Sequence, residues 1–339
     1  MLCFSKGCEV CVCYFHLVDE AASFCALKFS PENISHSNKP MEALDRYHEF
    51  RILKESPEAL VIYKPPNVAL DGDHPITVEK WLHDTQGHYL AANALSAGAA
   101  AKKEIKWVHQ LDYATSGILC IAFTRPLAQR LTHCFEMRTS VKEYTALLCG
   151  HVPEESTLAM PWHIHAAIGM DPSDPQRFRM KVNGDESRSA HSAITACARG
   201  WMQVVGQRAA VTHVHVRIYT GRRHQIRVHM AHVGFPIVGD VTYNSPLQGD
   251  GAGRLMLHAA RLALPVTLEP MVDRAQEVRA KKERKAAVKQ KRKRDGAVSN
   301  EDLRRIEGLG AEETPQIDES WTVVECADPF PAIMKDKDF

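Results

Sequence analysis

The chain has 339 residues, 45% of them hydrophobic, enough to bury a core of two layers or more in one large domain or two. Its formal charge of +1 excludes a chain that is basic throughout: residues 274–294 hold eleven Lys or Arg against two Glu and leave the rest net acidic. No apolar run reaches eighteen residues, which excludes a helical membrane span and points to a soluble, intracellular protein.

Ten cysteines do not imply disulfides here, because Cys120, Cys134, Cys149 and Cys197 sit in apolar or helical stretches as small buried hydrophobes. Residues 1–47 form an extension with no readable fold. Cys8, Cys11 and Cys13 lack a second ligand couple at zinc spacing. A single early basic residue, Lys6, does not make a transit peptide, although a mitochondrial address stays open. From residue 47 to 64 a strand pair is expected, with Phe50-Arg-Ile-Leu and Leu60-Val-Ile-Tyr joined by a Ser-Pro-Glu turn and ended by Lys64-Pro65-Pro66-Asn67. Residues 77–83 read as a short helix, with Thr77 as N-cap and Val78, Trp81 and Leu82 on one side. Residues 91–101 read as a surface loop or insertion.

Residues 107–123, WVHQLDYATSGILCIAF, run from a polar knot (His109 to Gly117) into a continuous apolar strand. Asp112 is the only carboxylate between Glu104 and Glu136. It reads either as a turn cap through its side chain or as a reactive group held at a strand's edge. Thr124-Arg-Pro126 then starts a helix, with Leu127, Leu131 and Phe135 on its core face. Residues 141–149 return to a strand, in which Tyr144 reads by itself as a sheet aromatic.

Residues 178–182 alternate as a strand. So do residues 213–219, which put His213, His215 and Arg217 on one, solvent-facing side and Val214, Val216 and Ile218 on the other. With no third ligand in view, no metal is assigned there. Residues 223–233 fit a helix through Ile226, Met230 and Val233, stopped by Gly234. Arg223 and Arg227 would share a face at its start, where the helix dipole disfavours cations and an anion is expected to meet them. Gly249-Asp-Gly-Ala-Gly253 is no nucleotide loop, since no strand enters it.

The basic segment, including Lys281, Lys282 and Arg292, lacks an apolar stripe and reads as a solvated helix or disorder. RNA-backbone contact, a nuclear address (through 289–294) and a plain charged linker all stay open. Residues 296–319 read as an acidic flexible tail.

Three stretches change the reading. HQLDYATSG at 109–117, VKEYTALL at 141–148 and TGRRHQIRVH at 220–229 together resemble the signature motifs of the RluA-type pseudouridine synthases, and most closely those of the eukaryotic RNA pseudouridylate synthase domain-containing proteins. Family-like pieces at 60–66, 234–243 and 254–259 keep the same order. One departure is Gln110, where the family's H-R-L-D-x-x-T-S-G usually has arginine.

The resemblance implies an α+β catalytic domain over 48–266, built on a mostly antiparallel mixed sheet, with the extension 1–47 before it and the basic segment and acidic tail, 267–339, after it. It implies Asp112 as the catalytic carboxylate, Arg227 as its ion-pair partner and Tyr144 as an aromatic stacked on the base, able to take the C5 proton. An arginine beside Asp112 would balance its charge and fix its orientation. His109, Gln110, Thr115, Arg222, His224, Gln225 and Leu257 are the expected substrate contacts, with Leu257 or Met256 as an apolar floor. Lys142, Lys281, Lys282 and Arg292 are expected on RNA phosphates. Uridine isomerisation requires no cofactor and no metal. RNA is the implied partner, with no membrane and no obligatory protein partner, in nucleus or cytoplasm. A catalytically silent RNA-binding protein with the same fold is the alternative. A hydrolase using Asp112 would lack a second carboxylate or a nucleophile–base set.

Overall fold

In the computed structural model, which describes residues 46–87, 90, 105–153, 161–204, 207–247, 252–268, 282, 286 and 315–334, the expected strand pair is present. It consists of β1 (Arg51–Ser56) and β2 (Ala59–Lys64), antiparallel, with Ser56 opposite Ala59. The helix α1 (Val78–Thr85) starts as its sequence dictates: the Thr77 side chain accepts from the Lys80 backbone N–H at 3.0 Å. A two-residue strand, β3 (Lys106–Trp107), pairs with β4 (Ser116–Ala122), and α2 (Arg125–Glu136) follows with proline in its first turn.

All seven residues of β4 are buried, because both of its faces are covered. Ile118, Cys120 and Ala122 pack with Leu127 and Leu131 of α2, while Leu119 and Ile121 pack with Val78, Trp81 and Leu82 of α1. A strand sandwiched this way carries a continuous apolar run instead of an alternating one.

The remaining strands are β5 (Val141–Cys149), β6 (Trp162–His165), β7 (Ile168–Met170), β8 (Met180–Val182), β9 (Asp185–Arg188), β10 (His191–Val204), β11 (Gln207–Ile218), β12 (Leu257–Leu264) and β13 (Thr322–Glu325). Ten strands make one sheet in the order β1-β2-β4-β12-β5-β11-β10-β6, with β3 beside β4 and β13 beside β12. Among its pairings β4–β12 is parallel and the others antiparallel, so the fold is α+β on a mixed, mostly antiparallel sheet. The strands β8-β7-β9 form a small second sheet, and α3 (Gln225–His232) follows β11.

The parallel contact sets the geometry of the site. Gly117 (φ +116°) lies opposite Ala259, so close that a Cβ at this position would run into the Ala259 backbone. The loop before Gly117 is thereby held against the start of β12.

The chain end departs from the expected flexible tail. Thr322–Glu325 alternates buried and exposed as β13, and Phe330 and Met334 pack into the core with β5 and β11. The basic segment therefore falls between two adjacent paired strands. Lys282 and Ala286, its only described residues, are exposed, while Lys281, Arg292 and the expectations for 1–45, 91–101 and 296–314 lie outside the described residues. No helix among the described residues is long and apolar enough to cross a membrane.

Candidate active site

The polar knot ahead of β4 is fixed from below by a buried lysine. Lys64 is fully buried at the end of β2, and its Nζ donates to the carbonyls of Pro65 (2.8 Å), Val68 (2.9 Å) and Tyr113 (3.1 Å). Burial pushes this ammonium down to about 7, but Asp112 acts in the opposite direction and three acceptors match the full donor set of a charged amine. The Val68 N–H also donates to Tyr113 O, so the residue after Asp112 is held twice. Lys64→Met should remove the lysine donor from the Pro65 and Val68 carbonyls, leaving Tyr113 O only the Val68 N–H, and lower unfolding stability by about 3 kcal/mol, seen as a lower urea midpoint. An unchanged midpoint would show that the clamp is not structural.

Asp112 uses its backbone, not its side chain, to close the turn: the Thr115 N–H donates to Asp112 O at 3.1 Å. The carboxylate is left to face α3, where Arg227 Nη1 donates to Asp112 Oδ2 at 3.3 Å. Arg227 is itself gripped from behind. Its Nε and Nη2 each donate at 2.8 Å to the two oxygens of Asp240, and Nη2 also donates to Thr242 Oγ1 at 2.8 Å. Asp240 Oδ1 further accepts from the Thr242 and Tyr243 backbone N–H groups. Burial opposes the charge on Arg227, yet the bonds to Asp240, and Asp112 after it, raise its pKa above the ordinary value. A bidentate fork leaves one guanidinium edge for Asp112, a division of labour that lysine cannot copy. Gly239 (φ +80°) precedes Asp240, where a Cβ would run into the Arg254 carbonyl, so this turn too requires glycine.

The expected shared face of Arg223 and Arg227 is not formed. The helix begins only at Gln225, after His224 in left-handed conformation (φ 54°). Arg223 lies in the preceding turn, exposed, with its guanidinium 4.8 Å over the Phe178 ring.

Tyr144 is half-buried on β5, paired with Val216 of β11 on one side and Ala259 of β12 on the other. Burial, and next the charge of Asp112, push its phenol pKa well up, so the hydroxyl keeps its proton. Asp112, Tyr144, Arg227 and Leu257 line one cleft of about 1220 Å³. Met256, the other expected floor residue, is buried in the core and does not line the cleft. Beside them Arg254 Nη2 donates to Ser116 Oγ at 2.6 Å, and Ser116 Oγ lies 2.9 Å from His258 Nδ1.

The other expected contacts divide. Gln110 is exposed in the lining, and Thr115 Oγ1 is buried with no hydrogen-bond partner among the described residues. His109 Nε2 accepts from the Cys120 N–H at 2.9 Å, and burial pushes this imidazole down to about 3, which keeps it neutral. His224 is pushed by burial to about 4. Its Nδ1 lies 2.8 Å from the Tyr243 hydroxyl, which accepts from the Met180 N–H. Gln225 has both ends of its amide engaged: Oε1 accepts from Thr220 Oγ1 and Arg222 N, and Nε2 donates to His191 O and Ser192 Oγ. It braces the loop before α3.

Sequence reading places the basic character in residues 274–294, and the structure corrects this. Arg138, Lys142, Arg188, Arg222, Arg223 and Arg254 line the cleft with Arg227, against Asp112, Glu136 and Asp240. Burial pushes Lys142 down to about 8, with Arg138 and Arg222 adding to the shift, and burial, Arg188 and Arg138 likewise lower Arg222. Like charges gathered from four separate stretches of chain leave no trace in a local charge count.

The face of β11 is corrected as well. His213 and Arg217 are buried, and a third polar group does join His213 and His215: Asp328, whose Oδ2 lies 2.7 Å from His213 Nε2. That carboxylate is already spent on His213. A second cluster, His163, His165 and His191, has the His165 and His191 rings stacked at 3.9 Å and 24°, and His163 Nδ1 lies 2.8 Å from His191 Nε2, so those two nitrogens are already paired with each other.

Similarity to known proteins bears on the same residues. The chain is 36% identical over 171 residues to RNA pseudouridylate synthase domain-containing protein 1 of Danio rerio, covering 49% of this chain and 55% of the relative. It is 33% identical over 158 residues to the dual-specificity RNA pseudouridine synthase RluA of Escherichia coli (strain K12), covering 46% and 65%. The solved structure of human RNA pseudouridylate synthase domain containing 1 is 28% identical, covering 65% of this chain and 80% of that one, with a TM-score of 0.49. The chain spans about half the length of the curated relatives it matches first. Residues 58–232, more than half of the chain and the part that carries Asp112, Tyr144 and Arg227, match the sequence pattern of RNA pseudouridylate synthase, and the protein belongs to that family.

Proposed function

We propose that this protein isomerises uridine to pseudouridine in structured RNA, tRNA or rRNA, with Asp112 as the catalytic carboxylate. The observation that carries the reading is the hydrogen bond from Arg227 Nη1 to Asp112 Oδ2, in a cleft that also presents Tyr144 and Leu257. A target uridine flipped from its stack would enter with its uracil between Tyr144 and Leu257. Asp112 then attacks the sugar or takes a proton from it. The N1–C1′ bond breaks, the uracil turns and C5 bonds to C1′, which releases Asp112 from the sugar or takes back the proton Asp112 removed. The Tyr144 hydroxyl then relays the C5 proton to solvent, passing on its own as it takes it, and N1 gains a proton from solvent.

Thr115 Oγ1, without a protein partner among the described residues, is suited to a polar atom of the nucleotide. The crowded cations Arg138, Lys142 and Arg222 are suited to its phosphates, since bound anions would relieve their repulsion. Gln110 supplies no cation for the vacated stack, so flipping here relies on other groups. A protein that only bound RNA would have no need of a carboxylate held on a buried arginine.

RNA carrying tritium at uracil C5 tests the proposal directly. The full chain should release tritium from a tRNA or rRNA pool, and no release from either would contradict it. Tyr144→Phe should keep RNA affinity and lose about 10²-fold or more in kcat if the hydroxyl handles the C5 proton. Wild-type turnover in that variant would leave Tyr144 only the stacking role.

A further inference from the structure

Phe178 is 47% exposed at the lip of the cleft, an unusual place for a large apolar ring that packs into neither core nor interface. It is not there because the loop is loose. Asp174 accepts from the backbone N–H groups of Gln176, Phe178 and Arg179, and Arg177 between them takes the left-handed conformation (φ 52°). Met180, at the start of β8, donates its N–H to Tyr243 OH, and Arg223 Nη1 donates to Arg177 O at 3.5 Å. The ring is thus presented on a braced turn tied to the start of α3.

Its surroundings define what it can hold. The Arg223 guanidinium covers the ring at 4.8 Å, and His224 meets it edge-on at 5.2 Å and 69°. An aromatic ring and a planar guanidinium laid together, with the rest of the ring open, make a flat ledge for another flat π-system. The cleft beside it is lined by Arg188 and Arg222, so its ligand carries negative charge as well. Flat rings on a polyanion are the description of an unstacked nucleotide.

We infer that Phe178 and Arg223 form a stacking subsite for a nucleobase of the RNA next to the target uridine, outside the catalytic pocket. The inference rests on the reading of this chain as an RNA-modifying enzyme. It assigns part of the choice of flanking sequence or shape to a ledge that touches no reacting atom.

The test uses the full chain and a single-stranded oligonucleotide with 2-aminopurine beside a central 5-fluorouridine. Binding should change the 2-aminopurine fluorescence as the base stacks. Phe178→Ala should weaken binding about 5- to 100-fold, the range expected for losing one base–aromatic stack, and abolish that change. Phe178→Trp should retain both, whereas Phe178→Leu, apolar but without a π-face, should behave like alanine. Thermal melts of the three variants guard against misfolding. Wild-type affinity and fluorescence in Phe178→Ala, equal behaviour of leucine and phenylalanine, or no binding by the wild type would each overturn the subsite. Absence of tritium release from wild-type reactions, with the Phe178 dependence intact, would instead refute the enzyme reading and leave the stacking ledge standing.

Discussion

Asp112→Asn should reduce tritium release from C5-labelled RNA on the order of 10⁴-fold, while the unfolding midpoint and RNA affinity stay close to wild type. The substitution keeps the shape of the side chain and an oxygen able to accept from Arg227 Nη1, so the cleft is not reorganised. It removes the charge and nucleophilicity that any role at the sugar requires. The Asp112 side chain is 24% exposed, so little stability hangs on it. Wild-type release by Asp112→Asn would remove the carboxylate from the reaction.

Arg227→Ala should do more than slow the enzyme. It strips the cation from Asp240, whose side chain is fully buried, and a buried carboxylate left alone costs about 3–5 kcal/mol. Activity should be lost and the urea midpoint should fall. Lysine should recover part of the stability and little of the activity, because it cannot fork to Asp240 and reach Asp112 together. The double variant Arg227→Met/Asp240→Asn separates the two effects: stability should return without activity. Full activity in Arg227→Ala would move the pairing role to Arg222 or Arg223. The geometry speaks against both, since Arg222 Nε is on Ser189 O and Arg223 lies over Phe178.

Much of the fold is legible in the sequence because the elements around the site are locally determined. The run 118–123 shows a doubly covered strand, Thr77 caps its own helix, and Gly234 ends α3 where the periodicity ends. What stays hidden is set by partners distant in sequence. Asp240 looks like a turn residue in G-D-V-T-Y, and only a buried arginine thirteen positions earlier makes it the anchor of the site. Lys64 looks like a solvated charge before two prolines until three carbonyls close around it. His213 and Asp328 are 115 residues apart, and the strand that brings the chain end back follows a long charged stretch that masks its alternation. The basic lining of the cleft is scattered for the same reason. The motif resemblance supplies the roles of Asp112, Tyr144 and Arg227 where composition and periodicity alone leave a turn cap or reactive group, a sheet aromatic and a helix-start cation facing an unnamed anion.

Whether Asp112 of this chain makes pseudouridine is tested most directly by pseudouridine mapping across cellular RNA. RNA from cells with the protein, without it, and with only the Asp112→Asn form should be compared position by position. The account predicts a defined set of uridines that is modified with the wild-type protein and unmodified in both other samples. Identical maps in all three would contradict it.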